Sequence, residues 1–148
     1  MGVNPAPTFK DIKEHIESLV DYKVYTAEIP ADEALTFDEN GVMDPFVVVN
    51  FGGPVRAAKD RGLVSAKHDS TILFITLDCY AARNWDAIEI KGYLLEELTG
   101  WVPEGATELV PMGGMTYSRA SNRVRPTQYI EATSFQCFSN LSSVCDRL

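Results

Sequence analysis

The ten residues TILFITLDCY, Thr71 to Tyr80, decide the fold class. Leu73, Ile75, Leu77 and Cys79 fall on one face, and Ile72, Phe74, Thr76, Asp78 and Tyr80 on the other. A period of two predicts a strand, and the run is longer than most strands. Just beyond it, Asn84 stands where a helix N-cap belongs, Asp86 sits near the positive end of the helix dipole, and Gly100 offers a stop. The spacing predicts a helix over Trp85 to Leu98 with a core stripe of Ala87, Ile88, Leu94, Leu95 and Leu98; Ile90 and Tyr93 fall outside it, among Asp86, Glu89 and Glu97.

The segments on either side extend the same plan. Upstream, Pro5 and Pro7 lead to Thr8, an N-cap candidate with Asp11 three residues on as a capping-box partner, and a helix whose apolar face is Phe9, Ile12, Ile16, Leu19 and Val20. Val24 to Ile29 reads as a short strand ended by Pro30. The stretch from Ala31 to Asp44 reads as an acidic loop or loose hairpin around Asn40-Gly41. Phe46 to Phe51 is apolar on both faces, as in a covered central strand preceded by Pro45. The pattern dissolves from Gly52 to Ser70. Downstream, Glu108 to Met112 reads as a short strand ending at Gly113-Gly114, Met115 to Thr127 as irregular, and Tyr129 to Phe138 as the last strand. This order predicts one α+β domain over residues 1–138: a mixed or antiparallel sheet of four to five strands, two helices packed on one face, and long loops. Residues 139–148 form a Ser-rich tail.

Composition narrows the function. The chain has 148 residues, 45% of them hydrophobic, and 13 basic against 21 acidic residues give a net charge of −8. This is the profile of a globular chain able to bury its own core. Acidity disfavours non-specific attraction to DNA or anionic membrane, and no apolar run approaches the roughly 20 residues of a bilayer span. The expectation is a protein that stays in the compartment where it is made. Cys79, Cys137 and Cys145 show no paired spacing and are expected to be reduced thiols, two of them on strands.

Few chemically reactive residues converge in the sequence. His15 flanks the first helix with no nucleophile near it. His68-Asp69-Ser70 places three triad residue types side by side in a turn, whereas triads assemble from separated elements. The histidines and cysteines share no metal-ligand spacing, and Gly52-Gly53 and Gly113-Gly114 match no phosphate-binding loop, so turn geometry explains them better. No catalytic, cofactor or metal residue is assigned.

Two features break the local pattern. Lys91 falls inside the apolar stripe of the second helix, so that either its stem packs while its amine snorkels, or it joins a partly buried ion pair with a strand carboxylate such as Asp78 or with a neighbouring subunit. The other is a pair of basic segments on an acidic chain: Arg56, Lys59, Arg61 and Lys67 in one, Arg119, Arg123 and Arg125 in the second. Either these are ordinary solvated loops, or they meet an acidic surface such as the Asp32, Glu33, Asp38 and Glu39 loop of another copy, in a head-to-tail contact of the kind that closes into rings.

Taken together, several stretches resemble a known family. They are the helix with Ile12, Ile16 and Leu19, Val24-Tyr25 ending near Pro30, Pro45 to Val49, the Gly-rich basic segment, the strand from Thr71 running into Ala81, and the helix with Leu94, Leu95, Leu98 and Gly100. The family is the tail terminator proteins, or minor tail protein U, of long non-contractile-tailed phages, especially versions carried by phages of actinobacteria. The likeness spans Thr8 to Phe138 and rests on hydrophobic pattern and size. It implies a homo-hexameric ring at the head-proximal end of the tail tube in the virion, made in the host cytoplasm. Such a ring stops polymerisation of the major tail tube protein and joins the neck's head-tail connector proteins. DNA passes through its channel without specific binding, and no membrane, cofactor or catalytic residue is involved. In that frame Asp32, Glu33, Asp38 and Glu39 line the lumen, and the two basic segments contact neighbouring subunits and the tube. The Ser-rich tail departs from the likeness. Rival readings are a connector or head completion protein of the neck, and a small cytosolic enzyme using the Gly52-Gly53 loop with His68 and Asp69.

Overall fold

In the computed structural model, which describes residues 4–56, 71–119 and 128–139, two helices lie on one face of a five-stranded sheet. The helices are α1 (Ala6–Leu19) and α2 (Asn84–Leu98). The strands are β1 (Lys23–Thr26), β2 (Phe46–Arg56), β3 (Thr71–Ala81), β4 (Val110–Arg119) and β5 (Gln128–Phe138), arranged in the order β1-β2-β3-β5-β4. β1 pairs parallel with β2 and every other pair is antiparallel, so the sheet is mixed.

Alternation along β3 works as the sequence predicts. Leu73, Ile75, Leu77 and Cys79 are fully buried beneath the helices, beside Val47 and Val49 of β2 and Phe135 and Cys137 of β5. Each such aliphatic side chain contributes roughly 1.5–3 kcal/mol on burial, and Ile12 and Ile16 of α1 with Ile90, Leu94 and Leu98 of α2 close this core from above.

The opposite face is covered at one end only. Phe46, Val48, Tyr80 and Ile130 pack there with Met43, which belongs to the acidic segment between β1 and β2. That segment is a small hairpin: Phe37 bridges Met43, Gly41 takes φ +79°, and Asp38 Oδ1 accepts the backbone N–H groups of Asn40 and Val42 at 2.8 and 2.9 Å. Acidic outside and anchored by Met43 and Leu35 inside, it lies over that end of the face.

Several sequence expectations need correction. Thr8 does not cap α1; the helix starts two residues earlier, with Pro7 in its first turn. Thr8 is fully buried and donates through Oγ1 to the Glu104 carbonyl at 2.7 Å, while Asp11 Oδ2 accepts the Glu104 N–H at 2.8 Å. The two polar residues hold a loop 96 and 93 positions away instead of their own helix end. Likewise Asn84 is the first residue of α2 and Arg83 occupies the cap position without a side-chain bond. Gly100 does end α2, at φ +84°.

The buried stripe of α2 is Ala87, Ile90, Leu94 and Leu98, with Leu95 half-buried; Ile88 is exposed. Ile90 is in and Ile88 out because the helix turns its 87-90-94-98 ridge to the sheet. Strands also run further than the pattern suggested. β2 continues through Gly52 and a cis Gly53-Pro54 bond to Arg56, with an irregularity in register between Gly52 and Val55. β4 continues through Gly113 and Gly114 to Arg119 after a bulge at Met112, so Arg119 belongs to a strand and not to an irregular loop.

Candidate functional site

The two basic connections spring from opposite ends of the sheet. Arg56 closes β2 opposite Thr71, whereas Arg119 closes β4 opposite Gln128, at the end where Tyr80, Ala81 and the start of α2 lie. Arg56 and Arg119 are thus placed by their backbones, and Lys59, Arg61, Lys67, Arg123 and Arg125 lie outside the described residues, as do His68, Asp69 and Cys145. Seven of the chain's thirteen basic residues belong to these two connections and their borders.

Of the acidic candidates, Glu33, Asp38 and Glu39 are exposed on the hairpin over the second sheet face, and Asp32 opens its short 3-10 turn. Asp38 also serves its own turn through the two bonds above, so part of its charge is spent on local structure.

Lys91 does form a partly buried ion pair, but not with Asp78. Its Nζ lies 3.2 Å from Glu131 Oε1 of β5, with the Lys91 side chain about a quarter exposed and Glu131 almost fully buried. Strand alternation is the reason. Glu131 is the register partner of Cys79 and points to the helix face, whereas Asp78 partners Ala132 and points to the other. The second oxygen of Glu131, Oε2, is buried with no hydrogen-bond partner among the described residues. Gly114 of β4 completes this corner: a Cβ there would collide with the Ala132 carbonyl oxygen and come within 3.2 Å of Lys91 Nζ. Nothing in the sequence singles out Glu131 before the register is known.

Burial tunes three titratable groups. It raises the Asp78 carboxyl above its ordinary range. Burial, with the Asp78 carboxylate adding to it, pushes the Cys79 thiol up to about 12, and burial pushes Cys137 up to about 11. Both are free thiols kept protonated and unreactive.

His15 has a packing role. Its ring stacks on Trp101, with centroids 3.9 Å apart and planes 5° from parallel. Among the described residues no three His, Cys, Asp or Glu side chains gather where they could hold a metal ion, and no helix is long and apolar enough to cross a membrane.

A groove of about 410 Å³ lies between the end of α1 and α2. Leu19, Pro45 and Ile90 form its apolar walls, Tyr22 and Tyr93 are half-exposed beside it, and Asp21, Asp86 and Glu89 supply carboxylates. Arg83 Nε pairs with Asp86 Oδ2 at 3.0 Å, which leaves Asp21 and Glu89 as the groove's exposed acids without an ion-pair partner among the described residues.

No protein-family model matches the chain, and no curated protein matches it.

Proposed function

We propose that this chain is a structural subunit of a phage tail terminator: a ring on the head-proximal end of the tail tube that stops tube growth and offers a surface to the neck. The observation that carries the reading is the distribution of charge on the sheet. An acidic subunit holds seven of its thirteen basic residues at two connections that leave opposite ends of one sheet. A solitary soluble domain has no need of that separation. A subunit with neighbours in two directions, around a ring and along a tube, does.

The resemblance noted in the sequence supports the same reading, as does the order α, β, β, β, α, β, β with both helices on one face. The exposed carboxylates of Glu33 and Glu39 suit a channel wall, because negative walls keep phosphates from adhering. Seven cations clustered on a net charge of −8 favour contacts between protein surfaces of opposite sign over retention of DNA.

The test is co-expression with the tail tube protein of the same phage. Tubes of uniform length with one blunt end carrying this chain are expected. Tubes of unchanged length distribution, with this chain absent from both ends, overturn the reading. Binding instead to DNA-filled heads lacking tails identifies a neck connector and overturns it as well.

A further inference from the structure

We infer that the outer edge of β4 takes an extended segment of the tail tube protein as an added strand, with a hydroxyl or amide side chain seated beside Gly114. The inference rests on the ring reading and names how the subunit holds the tube.

β4 is the last strand on its side of the sheet, and among the described residues nothing pairs with its outer edge. Such an edge presents a row of unpaired N–H and C=O groups, and what satisfies the whole row is another extended backbone. Edges that stay free are short or interrupted. β1, at the other side of the sheet, has four residues. β4 is guarded along its first half only: Pro111 has no N–H, and the register breaks between Pro111 and Gly113. From Gly113 to Arg119 the register with β5 is unbroken, and the sequence Gly-Gly-Met-Thr-Tyr-Ser-Arg contains no proline, lysine or carboxylate. This half of the edge is long enough to pair and carries nothing that prevents it.

A polar seat lies beside the same stretch. Lys91 Nζ stands 3.2 Å from Glu131 Oε1 and 3.2 Å from where a Cβ on Gly114 would be, so the ammonium occupies the space a side chain at Gly114 would take. The Glu131 side chain is 4% exposed, and its Oε2 is buried with no hydrogen-bond partner among the described residues. Lys91 has three N–H donors and gives one of them to Glu131. The pair is half satisfied, which a dry interior penalises.

Gly114 itself is exposed, and it partners Thr133, which shares the helix face with Glu131. A residue directly across from Gly114 on an added strand points to the same face, with its Cβ about 5 Å from the Gly114 position. Its side chain then meets Lys91. A hydroxyl or a primary amide accepts from Lys91 and donates to the carboxylate, whereas a carboxylate only accepts and an ammonium only donates. Ser, Thr, Asn or Gln is the residue that this position takes.

Hydrogen exchange on the whole chain, alone and bound to purified tail tubes, tests it. In the free chain every second amide from Gly113 to Arg119 should exchange rapidly, and on tubes those amides should slow about tenfold or more. Met115→Pro and Thr116→Pro occupy neighbouring positions, so that one removes an N–H facing β5 and the other an N–H facing outward. Thermal melts identify the outward one as the more stable of the two, and that variant should no longer bind tubes. Lys91→Met combined with Glu131→Leu should bind tubes about tenfold more weakly, because the polar seat is gone. Outer amides already protected in the free chain, or unprotected on capped tubes, overturn the inference and leave the ring reading standing. Normal capping by the outward proline variant does the same, and undiminished binding by the Lys91 and Glu131 double variant overturns the seat. Tubes that the wild-type chain never caps overturn the ring reading itself.

Discussion

Lys91 Nζ lies 3.2 Å from Glu131 Oε1, joining α2 to β5 beneath a strand whose Gly114 has no room for a side chain. A buried pair of this kind stabilises little by itself, yet breaking it is expensive, because the survivor is left as a charge in a dry interior. Lys91→Met should therefore destabilise the subunit by about 3 kcal/mol. Lys91→Met combined with Glu131→Leu should recover most of that loss. Chemical unfolding of the single and double variants checks both, and a Lys91→Met variant as stable as the wild type contradicts the geometry.

Gly114→Ala drives a methyl group into the Ala132 carbonyl oxygen. β4 must then move off β5, and the expected loss is about 2 kcal/mol, within the usual range for overpacking. Gly92→Ala is the control. Nothing lies within 4 Å of its Cβ position, and in mid-helix the exchange should raise the stability of the isolated subunit by about 0.5–1 kcal/mol. Thermal melts of the two variants should shift in opposite directions.

Thr8 and Asp11 grip Glu104 by its carbonyl and its N–H. Thr8→Val keeps the shape and removes the donor, at an expected cost of about 1–2 kcal/mol for an unmade buried bond. The local signature is more telling than the global one. Hydrogen exchange at the Glu104 amide should accelerate in Asp11→Ala while amides in the middle of α1 keep their protection. Fraying of α1 in place of that change would mean the two residues cap the helix after all.

The pH dependence has a definite sign. Burial raises the folded-state carboxyl of Asp78, so the folded protein holds that proton to higher pH than the unfolded chain does. Its contribution is complete below the unfolded value near 3.8 and is lost as pH rises through the raised folded value. Asp78→Asn should accordingly raise the unfolding midpoint at pH 7 and leave it unchanged at pH 3. The thiols act similarly at the alkaline end. With Cys79 near 12 and Cys137 near 11, stability should fall as pH climbs above 9, and native protein at pH 8 should resist alkylation at both positions until it is unfolded. Mass spectrometry after timed exposure to iodoacetamide measures this directly.

The fold was legible where a single periodicity ruled. β3 and α1 follow from alternation and from the 9-12-16-19 stripe because each has one face to bury. The errors fall where one residue answers to two demands. Ile88 and Ile90 are equally apolar, and which of them is buried depends on the 87-90-94-98 ridge that α2 turns to the sheet. Gly113-Gly114 reads as a stop in the chain, yet it is the bulge and the close approach that let β4 run on against β5. Thr8 and Asp11 have capping-box spacing and are used for a contact nearly a hundred residues away, which no local rule contains. The ion pair was half visible. Lys91 stood out in an apolar stripe, and alternation already placed Asp78 on the wrong side of β3; finding Glu131 required the β3–β5 register. The groove was invisible to sequence reasoning, since Asp21, Pro45 and Glu89 meet only in three dimensions.

Negative-stain electron microscopy of the purified chain, alone and with tail-tube protein, decides whether it assembles as proposed. Rings with an open channel are expected, together with tubes capped at one end by a ring of the same diameter. A chain that remains monomeric, ignores tube ends and leaves tube length unchanged would contradict it.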